Sequence, residues 1–210
     1  FRIPIAKEGF RFILPFAGLT ILFFFFHLLT IANVFAFLTL FIAYFFRDPD
    51  RDIPDQSDAV LSPADGKVIK ITEVDDSSLL NSKGICISIF LSIFNVHINR
   101  FPCSGKIIKR AYNPGIFLSA FREKASLLNE QNSILIENGS IRVIVKQIAG
   151  LIARRIVCWV KEGDSLGPGE RFGLIRFGSR VDIILPLDTA ICVKVGDKVK
   201  GGETILGRIQ

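Results

Sequence analysis

A serine directly after a glycine, set between two arginines, is the feature of this chain best suited to chemistry: Arg176-Phe177-Gly178-Ser179-Arg180, running into Val181-Asp182-Ile183-Ile184-Leu185-Pro186. Glycine opens backbone conformations closed to other residues and leaves its own carbonyl uncrowded. The Ser179 hydroxyl is therefore a candidate nucleophile toward the Gly178 carbonyl, given a base and some backbone strain. The same dipeptide also makes ordinary turns, so other residues must decide. His97, in Asn95-Val96-His97-Ile98-Asn99-Arg100, is the only histidine outside a long apolar stretch, so an imidazole acid or base would have to be this one. Asp65, in Ser62-Pro63-Ala64-Asp65-Gly66-Lys67, either bonds its own turn or presents a carboxylate to a neighbouring imidazole. The four cysteines form no C-x-x-C pair and read as buried, reduced thiols. With two histidines, one of them in the apolar stretch, no metal site is expected.

The elements that must position these residues are mostly strands. Val68–Val74, Gly84–Leu91 and Arg154–Val160 have strand composition, and Ser133–Glu137 and Ile141–Ile148 flank an Asn-Gly turn as a hairpin does. Near the C-terminus a pattern V-K-x-G-D-x-[LV]-x-x-G-E occurs twice, at Val160–Glu170 and Val193–Glu203. Two copies in one sheet system predict a mainly β domain, a pseudo-symmetric barrel or sandwich. Each half resembles the hammerhead of lipoyl and biotinyl carrier domains.

Residues 12–46 carry no charge. A single helix of that length would span about 50 Å, well beyond a hydrocarbon core of about 30 Å. A helical hairpin broken near Thr30-Ile31-Ala32-Asn33 fits better, and it spans the bilayer or lies in its interface. Arg2, Lys7 and Arg11 before it and Arg47 and Arg51 after it place both ends on the cytoplasmic face. His27 falls near a helix end and receives no role. The Pro-rich, alternately charged run Arg47-Asp48-Pro49-Asp50-Arg51-Asp52-Ile53-Pro54 is a linker. The expected organisation is an anchoring hairpin over 1–46, a linker over 47–58 and a β domain over 59–210. The net charge of +6 is dispersed, which suits an anionic membrane surface and not nucleic acid.

Several motifs together resemble the short-form phosphatidylserine decarboxylase proenzymes. They are Phe46-Arg47-Asp48-Pro49, Ser62–Val68, Asn95–Arg100, Lys124-Ala125-Ser126-Leu127-Leu128-Asn129-Glu130, Gln147-Ile148-Ala149-Gly150 with Arg154-Arg155-Ile156, and Arg176–Asp182. The resemblance implies a precursor that cuts itself between Gly178 and Ser179 into chains 1–178 and 179–210. The chains stay together as a heterodimer, with room for a higher oligomer. Ser179 becomes a pyruvoyl group, a cofactor made from the chain without a metal. That group forms a Schiff base with phosphatidylserine, and loss of carbon dioxide gives phosphatidylethanolamine at the cell membrane. Asp65, His97 and Ser179 match the family's self-cleavage set, with His97 as base and Asp65 orienting the imidazole. Longer members carry a second histidine where this chain has Arg100, which leaves the division of acid and base duties open. By charge alone, Arg100, Arg154, Arg155, Arg176 and Arg180 are candidates for the lipid's phosphate or carboxylate.

Three other readings compete. A decarboxylase of another phosphoserine lipid, such as an archaeal ether lipid, shares the same motifs. A membrane-tethered lipoyl-like module explains the repeats but not Asp65 and His97. A serine hydrolase has the residue types but lacks the G-x-S-x-G elbow.

Overall fold

The computed structural model describes residues 3–76, 82–115, 129–139, 141–150, 155–176 and 179–209. It contains two compact units, Phe1–Asp50 and Arg51–Gln210.

The first unit is a helical hairpin, α1 (Lys7–Phe25) and α2 (Leu29–Phe45). At a rise of 1.5 Å per residue the helices are about 28 and 25 Å long. Phe35 joins them, its ring 5.8 Å from Phe16 and 5.4 Å from Phe23. The break falls at Phe26-His27-Leu28, earlier than the polar Thr30–Asn33 run where it was expected. The cause is a C-terminal cap: His27 N–H donates to Phe24 O and Leu28 N–H to Phe23 O, with His27 at φ 56. This is the Schellman arrangement with histidine in the usual glycine place. Residues 30–33 then simply continue the helical pattern of α2. The chain entering and leaving the hairpin pairs with itself, Ala6 N–H to Phe46 O and Asp48 N–H to Pro4 O, both 2.8 Å.

The second unit is built from β1 (Ala59–Leu61), β2 (Gly66–Asp76), β3 (Ser82–Leu91), β4 (Ile98–Arg100), β5 (Gly105–Asn113), β6 (Gln131–Asn138) and β7 (Ile141–Ala149). It continues with β8 (Ile156–Cys158), β9 (Ser165–Leu166), β10 (Arg171–Ile175), β11 (Ser179–Pro186), β12 (Ala190–Ile191), β13 (Lys198–Val199) and β14 (Ile205–Arg208). One eight-stranded antiparallel sheet has the order β13-β2-β3-β11-β7-β6-β5-β9, and two three-stranded sheets have the orders β4-β10-β8 and β1-β14-β12. The architecture is sandwich-like. Among the described residues the large sheet does not close into a barrel, because β13 and β9 are its two edges.

The large sheet reads the same from both edges if β2 is matched with β5, β3 with β6 and β11 with β7. Hydrogen bonds support that match in detail. Gly163 N–H donates to Ile107 O and Ile107 N–H to Asp164 O, as Gly196 N–H does to Val68 O and Val68 N–H to Asp197 O. Asp164 and Asp197 each accept, through Oδ2, the backbone N–H three residues earlier. Both β2 and β5 shift register immediately afterwards, at Val68/Lys70 and Ile107/Lys109. Gly169 and Gly202, at φ 75 and 79, close the second turn of each copy, a conformation other residues rarely adopt. The duplication therefore also includes Pro63-Ala64-Asp65-Gly66-Lys67-Val68 and Pro102-Cys103-Ser104-Gly105-Lys106-Ile107.

The main core lies on one face of the large sheet, and a smaller cluster of Cys86, Leu135, Ile144 and Ile184 lies on the other. Val68, Ile87, Ile89, Leu91, Ile134, Ile136, Val143, Val145, Val181 and Ile183 fill the main core together with Phe101 and Phe172 from the smaller layers. Cys86 and Cys103 are buried as expected, and burial pushes both thiols up to about 12. Cys158 is half-buried. Cys192 is exposed, against expectation, because it follows the very short β12 at the molecule's surface.

Candidate active site

Ser179 opens β11, which is bonded on both sides: Ser179 lies opposite Leu91 of β3 and Ala149 of β7. Directly opposed residues share a sheet face, so Ser179 is on the core face with Val181 and Ile183. It is fully buried, and its Oγ has no hydrogen-bond partner among the described residues. Leaving such a hydroxyl unpaired costs about 1–3 kcal/mol. That cost is hard to account for in a purely structural serine. Phe177 and Gly178 lie outside the described residues.

His97 is brought toward this point by the loop that follows β3. The loop leaves Leu91, opposite Ser179, and ends where His97 O accepts from Ile175 N–H at 3.3 Å. Ile175 is four residues before Ser179, so chain length alone keeps the two within about 14 Å. His97 is 2 % exposed, and its Nδ1 lies 2.9 Å from Asn95 O. A carbonyl only accepts, so in the neutral ring Nδ1 carries the proton and Nε2 is the basic nitrogen. Asn95 is itself fixed, its Oδ1 accepting from Ser92 N–H at 2.9 Å and Ser92 Oγ at 2.7 Å.

Asp65 does not hydrogen-bond His97 in this structure. Both its oxygens accept from Arg51 Nη2 at 2.9 Å, and Oδ1 also accepts from Gly201 N–H at 2.8 Å. The physical reason is the duplicated turn: the Asp65-Gly66 corner packs on the Gly201-Gly202 corner, and Arg51 enters beside both, with a side chain 7 % exposed and a second bond to Glu203 at 3.2 Å. Burial raises the Glu203 carboxyl, but its bonds to Lys200 and Arg51 outweigh that and hold it below the usual range. The imidazole is thus oriented here by the Asn95 carbonyl.

The candidate arginines separate clearly. Arg100 is 3 % exposed, and its Nη1 donates to Gly169 O at 3.0 Å. It sits where the two repeat turns meet, since a Cβ on Gly202 would lie 2.9 Å from Arg100 Cδ and 3.4 Å from Gly169 Cα. Arg180 is one residue beyond Ser179 and so on the opposite face. It is buried in a bidentate pair with Asp182 at 2.6 and 2.7 Å. Arg176 joins its backbone N–H to Arg155 O, and Arg155 is exposed. Arg154 and the Lys124–Leu128 motif lie outside the described residues.

A row of buried polar groups was not anticipated from the sequence. Gln147 lies opposite Val181 on β11 and opposite Asn132 on β6. Its Nε2 donates to Asn99 Oδ1 at 2.8 Å, and its Oε1 accepts from Asn132 Nδ2 at 2.8 Å. Asn132 Oδ1 in turn accepts from Arg110 Nε at 2.8 Å. One residue along from Gln147's neighbour, Ala149 is clasped by Asn129 Nδ2, which donates to its carbonyl at 2.7 Å, and by Glu130 O, which accepts its N–H at 3.0 Å. The small sheet comes close enough to reach this row because β10 has Gly173, whose Cβ would lie 2.3 Å from Val157 O and 2.9 Å from Gln147 Nε2. The available signal was Asn132 and Gln147 standing at core-facing positions of otherwise apolar, alternating strands.

Comparison with known proteins agrees across nearly the whole chain. A family model described as phosphatidylserine decarboxylase matches residues 38–207. The phosphatidylserine decarboxylase proenzyme of Syntrophus aciditrophicus is 51% identical over 206 residues, covering 97% of this chain and 96% of that protein. The proenzyme of the same description from Desulfotalea psychrophila is 47% identical over 209 residues, covering 99% and 98%. That of Syntrophotalea carbinolica is 50% identical over 205 residues, covering 97% and 96%.

Proposed function

The chain belongs to the phosphatidylserine decarboxylase family, and from that membership we propose that it converts phosphatidylserine to phosphatidylethanolamine after cutting itself between Gly178 and Ser179. The observation that carries this reading is the buried Ser179 hydroxyl, without a hydrogen-bond partner among the described residues, at the head of a central strand beside the His97 loop. The orphaned hydroxyl fits a residue destined for conversion to a pyruvoyl group. Once formed, that group supplies an electron sink for the pair left when carbon dioxide departs.

In this proposal His97 Nε2 takes the proton from Ser179 Oγ as the hydroxyl attacks the Gly178 carbonyl. The bond from Nδ1 to Asn95 O keeps the ring in the tautomer this requires. Nε2 later returns a proton to the substrate carbon. Asp65 acts at one remove, holding Arg51 and the Gly201-Gly202 turn, which packs against Arg100, three residues after His97. The chain 179–210 remains in place after cutting because β11 is bonded to both β3 and β7, β14 to β1, and β13 to β2.

The hairpin is proposed as the membrane anchor, residues 1–46, followed by the linker 47–58 and the decarboxylase domain 59–210. Its outward apolar side chains support this, with Phe25 79 % and Leu40 70 % exposed. So does the pairing of its two ends, flanked by Lys7, Arg11 and Arg47, which suits both ends facing the cytoplasm.

Intact-mass measurement tests the proposal. The purified protein is expected as two chains divided before residue 179, the smaller with a ketone-bearing end, releasing carbon dioxide from phosphatidylserine vesicles. An uncut chain that turns over lipid would overturn it.

A further inference from the structure

The buried side-chain amides of Asn132, Gln147 and Asn99 form a chain with one direction. Arginine only donates, so the bond from Arg110 Nε makes Asn132 present Oδ1 to it and turn Nδ2 the other way. Asn132 Nδ2 then donates to Gln147 Oε1, and Gln147 Nε2 donates to Asn99 Oδ1, both at 2.8 Å. Each amide passes the direction on, because an accepting end on one side leaves the donating end on the other. The chain ends on Asn99 Nδ2. Asn99 is fully buried, and this nitrogen has no hydrogen-bond partner among the described residues. A buried amide donor without an acceptor is destabilising, and the Arg110 bond at the other end keeps it from turning round.

Register sets this donor beside Ser179. Gln147 is two residues from Ala149, which lies opposite Ser179, so the Gln147 and Ser179 positions are successive steps on one sheet face. In the small sheet Asn99 lies opposite Gly173, and His97 O accepts from Ile175 N–H, which continues that ladder in the direction of Ser179. His97 and Asn99 are alternate residues of one extended run and so share a side. Asn99 therefore stands level with Gln147, and His97 one step nearer Ser179. Ser179 Oγ is likewise buried without a partner among the described residues. One of the two orphans is a donor, and the other is an oxygen that has to lose its proton to react.

We propose that Asn99 Nδ2 is the hydrogen-bond donor to Ser179 Oγ during self-cleavage, with Gln147, Asn132 and Arg110 as positioning residues that fix which end of the Asn99 amide faces the serine. The inference rests on the self-cleavage reading above and deepens it. In that step the Oγ proton passes by way of His97 Nε2 to the Ser179 nitrogen, a bond forms from Oγ to the Gly178 carbonyl carbon, and the carbon–nitrogen bond between the two residues breaks. A hydrogen bond to Oγ strengthens as negative charge grows there. It therefore favours the reacting oxygen over the resting hydroxyl. The opposite amide orientation would face Oγ with a carbonyl oxygen, which would compete with His97 for the same proton. The direction of the chain thus decides whether Asn99 helps or hinders the cut.

The test follows the cut by intact mass during cell-free synthesis of the full chain and reads folding by thermal unfolding of the products. Asn99→Asp keeps the side chain's size and the oxygen that accepts from Gln147 but removes the donor, and cleavage is expected to slow by about ten- to a hundredfold. Arg110 is exposed. Arg110→Glu offers Asn132 an acceptor, reverses the three amides and turns Asn99 Oδ1 toward Ser179, so the cut is expected to slow about tenfold, while Arg110→Lys, which still donates, stays within about twofold of wild type. A role in packing alone would give the two Arg110 variants the same rate. Folded Asn99→Asp and Arg110→Glu proteins cut as fast as wild type would overturn the donor. Should Asn99→Asp fail to fold, the Arg110 pair decides: equal rates overturn the proposal, and a slow Glu variant beside a fast Lys variant supports it. A wild-type chain that stays whole would instead overturn the self-cleavage reading itself.

Discussion

The two halves of the β unit share a backbone and differ in chemistry. In both, a glycine-led strand bonds a Gly-Asp turn, bulges at the same place and hands over to a second Gly-Glu turn. Where one half has Asp65, in a partly buried network with Arg51 and Glu203, the other has the exposed Ser104. Where β11 begins with Ser179, register places Ile141 of β7: Val181 and Val143 face Ile89 and Ile136, which in turn face Val68 and Ile107. β7 follows its sheet neighbour β6, whereas the chain reaches β11 from β10 in the smaller sheet. The two equivalent strand starts are thus entered differently, one from a neighbour in the same sheet and the other from a different sheet.

The largest contrast is expected at the two strand starts. Ser179→Ala is predicted to remain uncut and inactive, while Ile141→Ala is cut normally and loses about 1–3 kcal/mol of stability. Intact mass and thermal unfolding read both, and normal cutting of the Ser179 variant would remove the asymmetry. A smaller contrast is expected between Asp65→Asn and Ser104→Asn. The first leaves Arg51 without its bidentate partner in a nearly closed site and is predicted to cost about 3 kcal/mol and to slow self-cleavage. The second is expected to stay within about 0.5 kcal/mol. Equal denaturation midpoints would show that the Arg51 network adds nothing to the shared backbone.

The smallest effect concerns Cys103, which stands where the other half has Ala64. Cys103→Ala is expected to cost less than about 1 kcal/mol at neutral pH. Burial pushes the Cys103 thiol up to about 12 from 9.0. A raised folded value means that the neutral thiol's contribution is whole below pH 9 and is lost as pH rises toward 12. Wild-type protein should therefore lose more stability than the variant across that window. Superimposable alkaline unfolding curves would show that the thiol does not titrate there.

Much of this architecture was legible as pattern. Alternation and the Asn-Gly turn located the strands, and the Val160–Glu170 and Val193–Glu203 copies predicted internal symmetry. The matching Pro63–Val68 and Pro102–Ile107 stretches escaped notice because Asp against Ser and Ala against Cys conceal a likeness that lies in main-chain bonds. The hairpin break was misplaced because the polar Thr30–Asn33 run looked like a turn, while a capped helix end at His27 depends on φ and leaves little trace in composition.

By itself the sequence determined which residues have the chemistry: a Gly-Ser bond, one histidine outside the apolar stretch, an aspartate in a turn and an uncharged N-terminal run. Those are properties of residue type and local spacing. Only the tertiary structure decided what each one meets. It gave Asp65 to Arg51, set His97 against the Asn95 carbonyl, turned Arg180 away from Ser179 and placed Gln147 and Asn132 on the serine's face. These outcomes follow from strand register and from the packing of one sheet on another. A one-residue change of register reverses every side chain, and such pairings join residues far apart in the chain that no local pattern links.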